Sequence, residues 1–231
     1  MNFTSPLIHG KLINRYKRFL ADIQLDSGEI ITAHCTNSGS MKSCIEIGAE
    51  VYLSPANNPL RRTQFTWEMI KINDNWVGIN TNNPNTFAFE SITNQIIAPL
   101  CGYNKVSREV TFANSRFDIV AQNEQETCIV EVKNVTYKHN EFALFPDAKT
   151  TRGLKHLHGL MDLKKEGYRC VMLYIIQRMD VDIFAPAVEI DPDYANGLIL
   201  AEKQGVEIIP VQVKVTPQSI EYVRILPYVL K

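Results

Sequence analysis

The chain has 231 residues, enough for one large domain or two small ones, and 45% of them are hydrophobic, which supplies a core and excludes gross disorder. No apolar run approaches the ~20 residues that cross a bilayer. Met1 to Gly10 has no basic-then-apolar signal pattern and the five cysteines are odd in number, so a cytoplasmic protein with free thiols and no membrane association is expected. The formal net charge is −1, so bulk electrostatics will not draw the chain onto DNA, and nucleic-acid binding has to come from a local basic patch.

Such a patch opens the chain. Lys11, Arg15, Lys17 and Arg18 all precede the first acidic residue, Asp22, with Tyr16 and Phe19 interleaved. Cations and rings at this density suit phosphate contact and base stacking, and Lys11, Arg15, Tyr16, Lys17 and Arg18 are the candidate nucleic-acid contacts. The plain alternative is a solvated strand or turn. Phe19, Ala21, Ile23 and Leu25 then alternate with polar residues, as in a half-buried strand, and Asp26-Ser27-Gly28-Glu29 turns it into a return strand over 30–35. Further short strands are expected at 50–53, 65–72 and 76–79. Several short strands in about eighty residues without helical period suggest a small barrel of the OB type. The polar stretch 80–85 marks a boundary, giving domains 1–82 and 83–231.

The period changes beyond it. Phe89, Ile92, Ile96 and Ile97 follow helical spacing, with Asn85 or Thr86 available as N-cap. Strands are expected at 106–112, 116–122 and 128–135, a helix at about 151–166, and a doubly buried strand at 169–176. A helix at about 192–204, a strand at 206–214 and an irregular tail complete the chain. The class is α+β, with a second domain of order α-β-β-β-α-β.

The chemistry lies in the second and third of these strands. A hairpin symmetric about the turn at 123–126 pairs residues whose numbers sum to 249, which sets Asp118 opposite Glu131 and Arg116 opposite Lys133. Phe117, Ile119 and Ala121 then face Val132, Val130 and Cys128 on an apolar side. Two opposed carboxylates sit ~5 Å apart and repel, and a divalent cation removes that penalty. Asp118 and Glu131 are the candidate ligands of Mg²⁺ or Mn²⁺. Lys133, two residues along the same face, is placed to stabilise the charge that develops in phosphodiester hydrolysis. The same four charges also suit a salt-bridge quartet without metal, Arg116 with Asp118 and Glu131 with Lys133.

Certain segments are together specific. They are Arg15-Tyr16-Lys17-Arg18-Phe19-Leu20-Ala21-Asp22, His34-Cys35-Thr36-Asn37-Ser38-Gly39-Ser40-Met41, Ser115-Arg116-Phe117-Asp118, Glu131-Val132-Lys133-Asn134-Val135-Thr136, Phe145-Pro146-Asp147-Ala148 and Arg152-Gly153-Leu154-Lys155-His156-Leu157. Over nearly the whole chain they resemble the sugar fermentation stimulation protein family. The resemblance implies an N-terminal OB-like domain, a C-terminal domain of the PD-(D/E)XK nuclease fold, and DNA binding. Asp118, Glu131 and Lys133 match the nuclease pattern residue by residue, and Phe117 stands where a proline often precedes the aspartate. The family name ties it to regulation of sugar metabolism.

Secondary candidates are Glu109, as a further metal ligand, and Glu90 on the preceding helix. Arg152, Lys155 and His156 lie on the polar side of their helix and suit phosphate contact. His156 and His158 as metal ligands fall on different helix faces. His34, Cys35 and Cys44 lack an evident fourth ligand for zinc. The loop 37–40 suits either phosphate binding through its amides or a simple turn. The expected activity is metal-dependent cleavage of single- or double-stranded DNA. The alternatives are a non-catalytic DNA-binding transcriptional regulator on the same fold, and RNA as ligand.

Overall fold

The structure, a computed structural model, describes every residue except 57, 59, 113, 114 and 231. Six strands come first: β1 (Ile8–Tyr16), β2 (Leu20–Leu25), β3 (Ile30–His34), β4 (Glu50–Pro55), β5 (Phe65–Ile72) and β6 (Asn75–Gly78). β1, β2 and β3 form an antiparallel meander, β1 also pairs with β4, and β4 with β5. A parallel bridge from His34 to Thr66 joins β3 to β5, so the first five strands close into an OB barrel and leave no free edge among them. Leu12, Ile23, Val51, Leu53 and Trp67 fill its interior. The basic stretch is mostly the strand β1, with Lys17 and Arg18 in the turn that follows it.

The second unit follows as α1 (Asn83–Thr93), β7 (Lys105–Phe112), β8 (Ser115–Gln122), β9 (Thr127–Val135), β10 (Tyr137–His139), β11 (Phe142–Phe145) and α2 (Thr151–Lys165). It continues with β12 (Arg169–Ile176), β13 (Ile183–Pro186), α3 (Pro192–Lys203), β14 (Glu207–Val215) and β15 (Ile220–Ile225). The α-β-β-β-α-β order is that of α1, β7, β8, β9, α2 and β12. The main sheet runs β15-β14-β12-β9-β8-β7, with β9, β12 and β14 mutually parallel. Where an irregular tail was expected, β15 adds an edge strand, and β10, β11 and β13 form a small sheet that the sequence pattern did not announce.

Both faces of the main sheet are covered. Leu157 and Leu160 of α2 and Leu198 and Ala201 of α3 pack on one face, against Ile129, Met172 and Tyr174. Phe87, Ala88 and Ile92 of α1 cover the other, together with Met69 from the barrel wall. That is why Cys170 to Ile176 are apolar throughout and fully buried. The barrel is thus part of the second unit's core. Gly78 of β6 approaches Gln177 so closely that a Cβ would lie 2.3 Å from its Oε1. The first residues are held by the second unit as well, since the Met1 amine donates to Ile220 O and Asn2 bridges to Ser219. Helix starts are fixed by side chains: Thr150 Oγ1 accepts from Gly153 N, Asp191 Oδ1 from Tyr194 N, and Asp191 Oδ2 from Thr150 N. Asp191 thereby ties the starts of α2 and α3 together.

Candidate metal centre and nucleic-acid cleft

The β8–β9 ladder has the predicted register from Gln122 opposite Thr127 to Ile119 opposite Val130 and ends there, so Asp118 with Glu131 and Arg116 with Lys133 are not the ladder pairs that were expected. One residue further the pattern changes. Asp118 Oδ2 accepts from the backbone amide of Val132 at 2.8 Å, and its Oδ1 accepts from Asn85 Nδ2 at 2.8 Å. A side chain therefore replaces a backbone partner, and the two strands part. Phe117 packs on the α2 face, with its ring 6.3 Å from that of His156, while Ile119 packs on the α1 face. The expected shared apolar side for Phe117 and Ile119 is thus corrected: strict alternation fails at Asp118. On the neighbouring strand Glu109, at φ 56°, falls out of the β7–β8 ladder at the same level.

Glu131 points to the α2 face and is 2% exposed. Its Oε1 accepts from Lys133 Nζ at 2.5 Å and pairs with His156 Nδ1, whereas Oε2, also buried, has no hydrogen-bond partner. Burial alone would push this carboxyl up, but the His156 hydrogen bond and the Lys133 charge outweigh it and hold it below the usual range. The Asp118 carboxyl shifts the other way. Burial and the neighbouring Glu131 charge raise it, against the pull of the Val132 amide, Lys133 and Asn85. An unsatisfied buried oxygen on Glu131, whose charge also raises the Asp118 carboxyl, favours added positive charge there. Both donors are hard oxygens, which suit a divalent cation of the Mg²⁺ type. Among the described residues no group of three or more His, Cys, Asp or Glu side chains is placed to hold a metal. Water or backbone oxygen would have to complete the shell of a cation held by this pair.

Lys133 also lines a cleft of about 430 Å³ between the two units. Arg18, Thr36 and the backbone of 37–39 form the barrel side. Lys149, Arg152, Tyr137 and Phe145 line the cleft from the second unit. Arg15 builds this wall: its Nη2 donates to the carbonyls of Arg18, Asn37 and Gly39. Arg18 donates to Ser38 O through Nε and Nη2. Lys17 and Arg18 have φ values of 48° and 64°, a conformation that disfavours residues with a Cβ, so the turn holds two exposed basic side chains at some cost in strain. Gly39 packs directly on Asp147, where a Cβ would lie 2.1 Å from the carboxylate.

Several expected site residues lie elsewhere. Lys11 lines a separate depression beside Glu46, Glu50 and Asp74, so its charge is offset and it does not join the cluster. Tyr16 donates its hydroxyl to Asp22, which also accepts from Thr32. Glu109 is exposed and paired with Arg116 at 2.7 Å, which takes both out of the carboxylate group and breaks the expected charge quartet. Glu90 meets the N-terminal amine. Lys155 is exposed on α2, one turn from Arg152 but off the cleft wall. Cys35 and Cys44 are buried free thiols, and burial pushes that of Cys44 up to about 12. His156 is the main surprise. Expected on the polar side of its helix, it is 7% exposed and sits on Glu131. Its spacing to Leu160 and Leu163 places it beside the apolar stripe, a signal that was available in the sequence. Asn85 is inside α1, because Pro84 in the first turn starts the helix earlier, and this frees its side chain for Asp118.

Residues 13–79 match the family model described as the SfsA N-terminal OB domain, and residues 82–219 that of the sugar fermentation stimulation protein RE domain. The chain belongs to the sugar fermentation stimulation protein family. A homolog from Geotalea uraniireducens is 47% identical over 221 residues, covering 95% of this chain and 96% of its own. One from Geobacter sulfurreducens is 46% identical over 223 residues, with 96% of each chain covered. The solved structure of Pyrococcus furiosus SfsA in complex with Ca²⁺ superposes with a TM-score of 0.90 at 24% identity, over 99% of this chain and 98% of that one, so the fold is shared end to end. No described helix is long and apolar enough to cross a membrane.

Proposed function

We propose that this member of the family binds DNA in the cleft and hydrolyses phosphodiester bonds at Asp118, Glu131 and Lys133 with Mg²⁺ or Mn²⁺. The observation that carries the reading is the buried, unpartnered Oε2 of Glu131 beside a second carboxylate whose ionised form is disfavoured. A divalent cation would be held by these two side chains, as Mg²⁺ is commonly held by one or two carboxylates and several waters, and would supply Lewis acidity and an activated water. The Ca²⁺ in the Pyrococcus furiosus structure is a cation of the same hard, oxygen-seeking kind. Asn85 and the Val132 amide hold Asp118 in place, and Lys133 and His156 lock one oxygen of Glu131. Lys133 also reaches the cleft wall, where a phosphate gaining negative charge meets its ammonium. Arg18, Lys17, Lys149 and Arg152 would hold neighbouring phosphates.

The reading as a non-catalytic DNA-binding regulator draws on one observation: Glu131 Oε1 already has a cation and an imidazole beside it, so part of its charge is balanced without metal. Cleavage assays separate the two. Purified protein incubated with single- and double-stranded DNA in Mg²⁺, then Mn²⁺, is expected to cut at least one substrate, and Lys133→Ala to lower the rate by about 100-fold or more. No cleavage of any substrate would favour the regulator. Cleavage undiminished in Lys133→Ala would sink this mechanism.

A further inference from the structure

We propose that an apolar groove beside the cleft seats one unpaired nucleobase, which makes single-stranded DNA the preferred ligand. The proposal rests on the reading of the cleft as the DNA path.

The groove has a volume of about 270 Å³ and is walled by Tyr137, Phe142, Leu144, Pro186 and Val188. It adjoins the cleft, since Tyr137 and Leu144, opposite each other in the β10–β11 pair, line both. A strand leaving the cleft on this side would meet it. Val188 is 43% exposed, which leaves an open apolar wall beside a polar channel.

The two spaces differ in chemistry as the two parts of a nucleotide do. The cleft presents Arg18, Lys149 and Arg152, which suit phosphates. No Lys or Arg lines the groove, and besides Tyr137 its two polar side chains are those of His139 and Glu189. The Glu189 carboxylate can accept a hydrogen bond from the exocyclic amine of a base, and the His139 imidazole offers a second hydrogen-bonding group. A tyrosine ring among aliphatic side chains is a stacking surface for the flat face of a base. The site is also preformed. β13 pairs in parallel with β11, Ala187 N donates to Phe145 O, and Val188 N and Ile190 N close tight turns onto Pro186 O and Ala187 O. Little ordering is left to oppose binding. In a duplex every base is paired and stacked, so only an unpaired base can use the groove.

Fluorescence anisotropy on the full chain tests this with three probes: a 12-residue single strand, the same strand without bases, and its duplex. Tyr137→Ala should weaken binding of the normal strand by about 5- to 100-fold, since stacking one base on an aromatic ring is worth ~1–3 kcal/mol. The loss should be larger on the normal strand than on the duplex or the base-free strand, and Tyr137→Phe should retain wild-type affinity. Val188→Ser, at an exposed position that the core does not need, should weaken the normal strand severalfold with the same selectivity. Equal losses on duplex, no loss in either variant, or a base-free strand that binds wild type as tightly as the normal one would each overturn the base seat while leaving DNA binding in the cleft intact. Wild-type protein that binds none of the probes would remove the cleft reading and the seat with it.

Discussion

Two buried ion clusters in this protein are built from similar residues and behave in opposite ways. Arg178, 1% exposed, donates from Nε and Nη2 to the two oxygens of Asp180 at 2.7 and 2.9 Å, and from Nη1 to Ser43 Oγ and Thr136 O. Lys138 adds a further donor to Asp180. The cluster is saturated: burial alone would raise Asp180, but these donors bring its carboxyl down to about 2. At the other cluster Glu131 retains an unpartnered oxygen and the Asp118 carboxyl is pushed up. A buried carboxylate with charged donors on both oxygens is part of the scaffold. One left partly unanswered loses stability in the free protein and is suited to a ligand that supplies the missing charge.

Substitutions should break this contrast cleanly. The largest effect is expected from Arg178→Ala, which leaves Asp180 with Lys138 as its one side-chain partner and removes one of the ties between Ser43 and the second unit. Removing one partner of a buried pair costs about 3–5 kcal/mol, and at ~2–4 °C per kcal/mol for a chain of this size the melting temperature should fall on the order of 10 °C. A fall of a degree or two would mean that the pin is dispensable.

Asp118→Asn probes the opposite case. It removes a carboxylate whose ionised form the fold disfavours, so the metal-free variant should melt at the wild-type temperature or above it. The same variant should lose the Mn²⁺ binding that calorimetry detects in wild type. Lower stability with unchanged metal binding would move Asp118 into the structural class.

Acid should act on the saturated cluster. The folded pKa of Asp180 lies below its ordinary value of 3.8, so its contribution is complete above about pH 4 and is lost as pH falls toward about 2. With allowance for solvent screening this is on the order of 1–2 kcal/mol. Denaturant midpoints measured from pH 5 to pH 2 should show the loss, and Asp180→Asn should flatten it. The smallest effect concerns the barrel turn. Lys17→Ala and Arg18→Ala should each reduce the slope of log affinity for DNA against log salt by about one, while Lys11→Ala should not. An equal reduction for Lys11→Ala would show that the DNA path extends across the barrel.

Most elements could be read from the sequence. The hairpin register of β8 and β9 followed from a symmetric turn as far as Ile119 and Val130, the run 169–176 declared a doubly covered strand, and the helical periods located α1 and α2. Local pattern sufficed because each of these elements repeats its burial at a fixed period. Asp118, Glu131 and Lys133 stood out as a charged interruption in that pattern. The tertiary structure alone decided their environment. Alternation cannot reveal that Asp118 takes the Val132 amide and turns Phe117 to the opposite face, or that Glu109 is drawn away to Arg116. Nor can a helix period say that His156 meets Glu131, because that contact depends on how α2 docks on the sheet. Lys11 and Arg18 belong to one basic run in the sequence, yet β1 carries them to different surfaces. The groove beside the cleft joins β10, β11 and the loop after β13, segments about forty residues apart in the chain. Composition and period govern what a residue buries, whereas the partners of a charge are set by chain segments that meet only once the fold is closed.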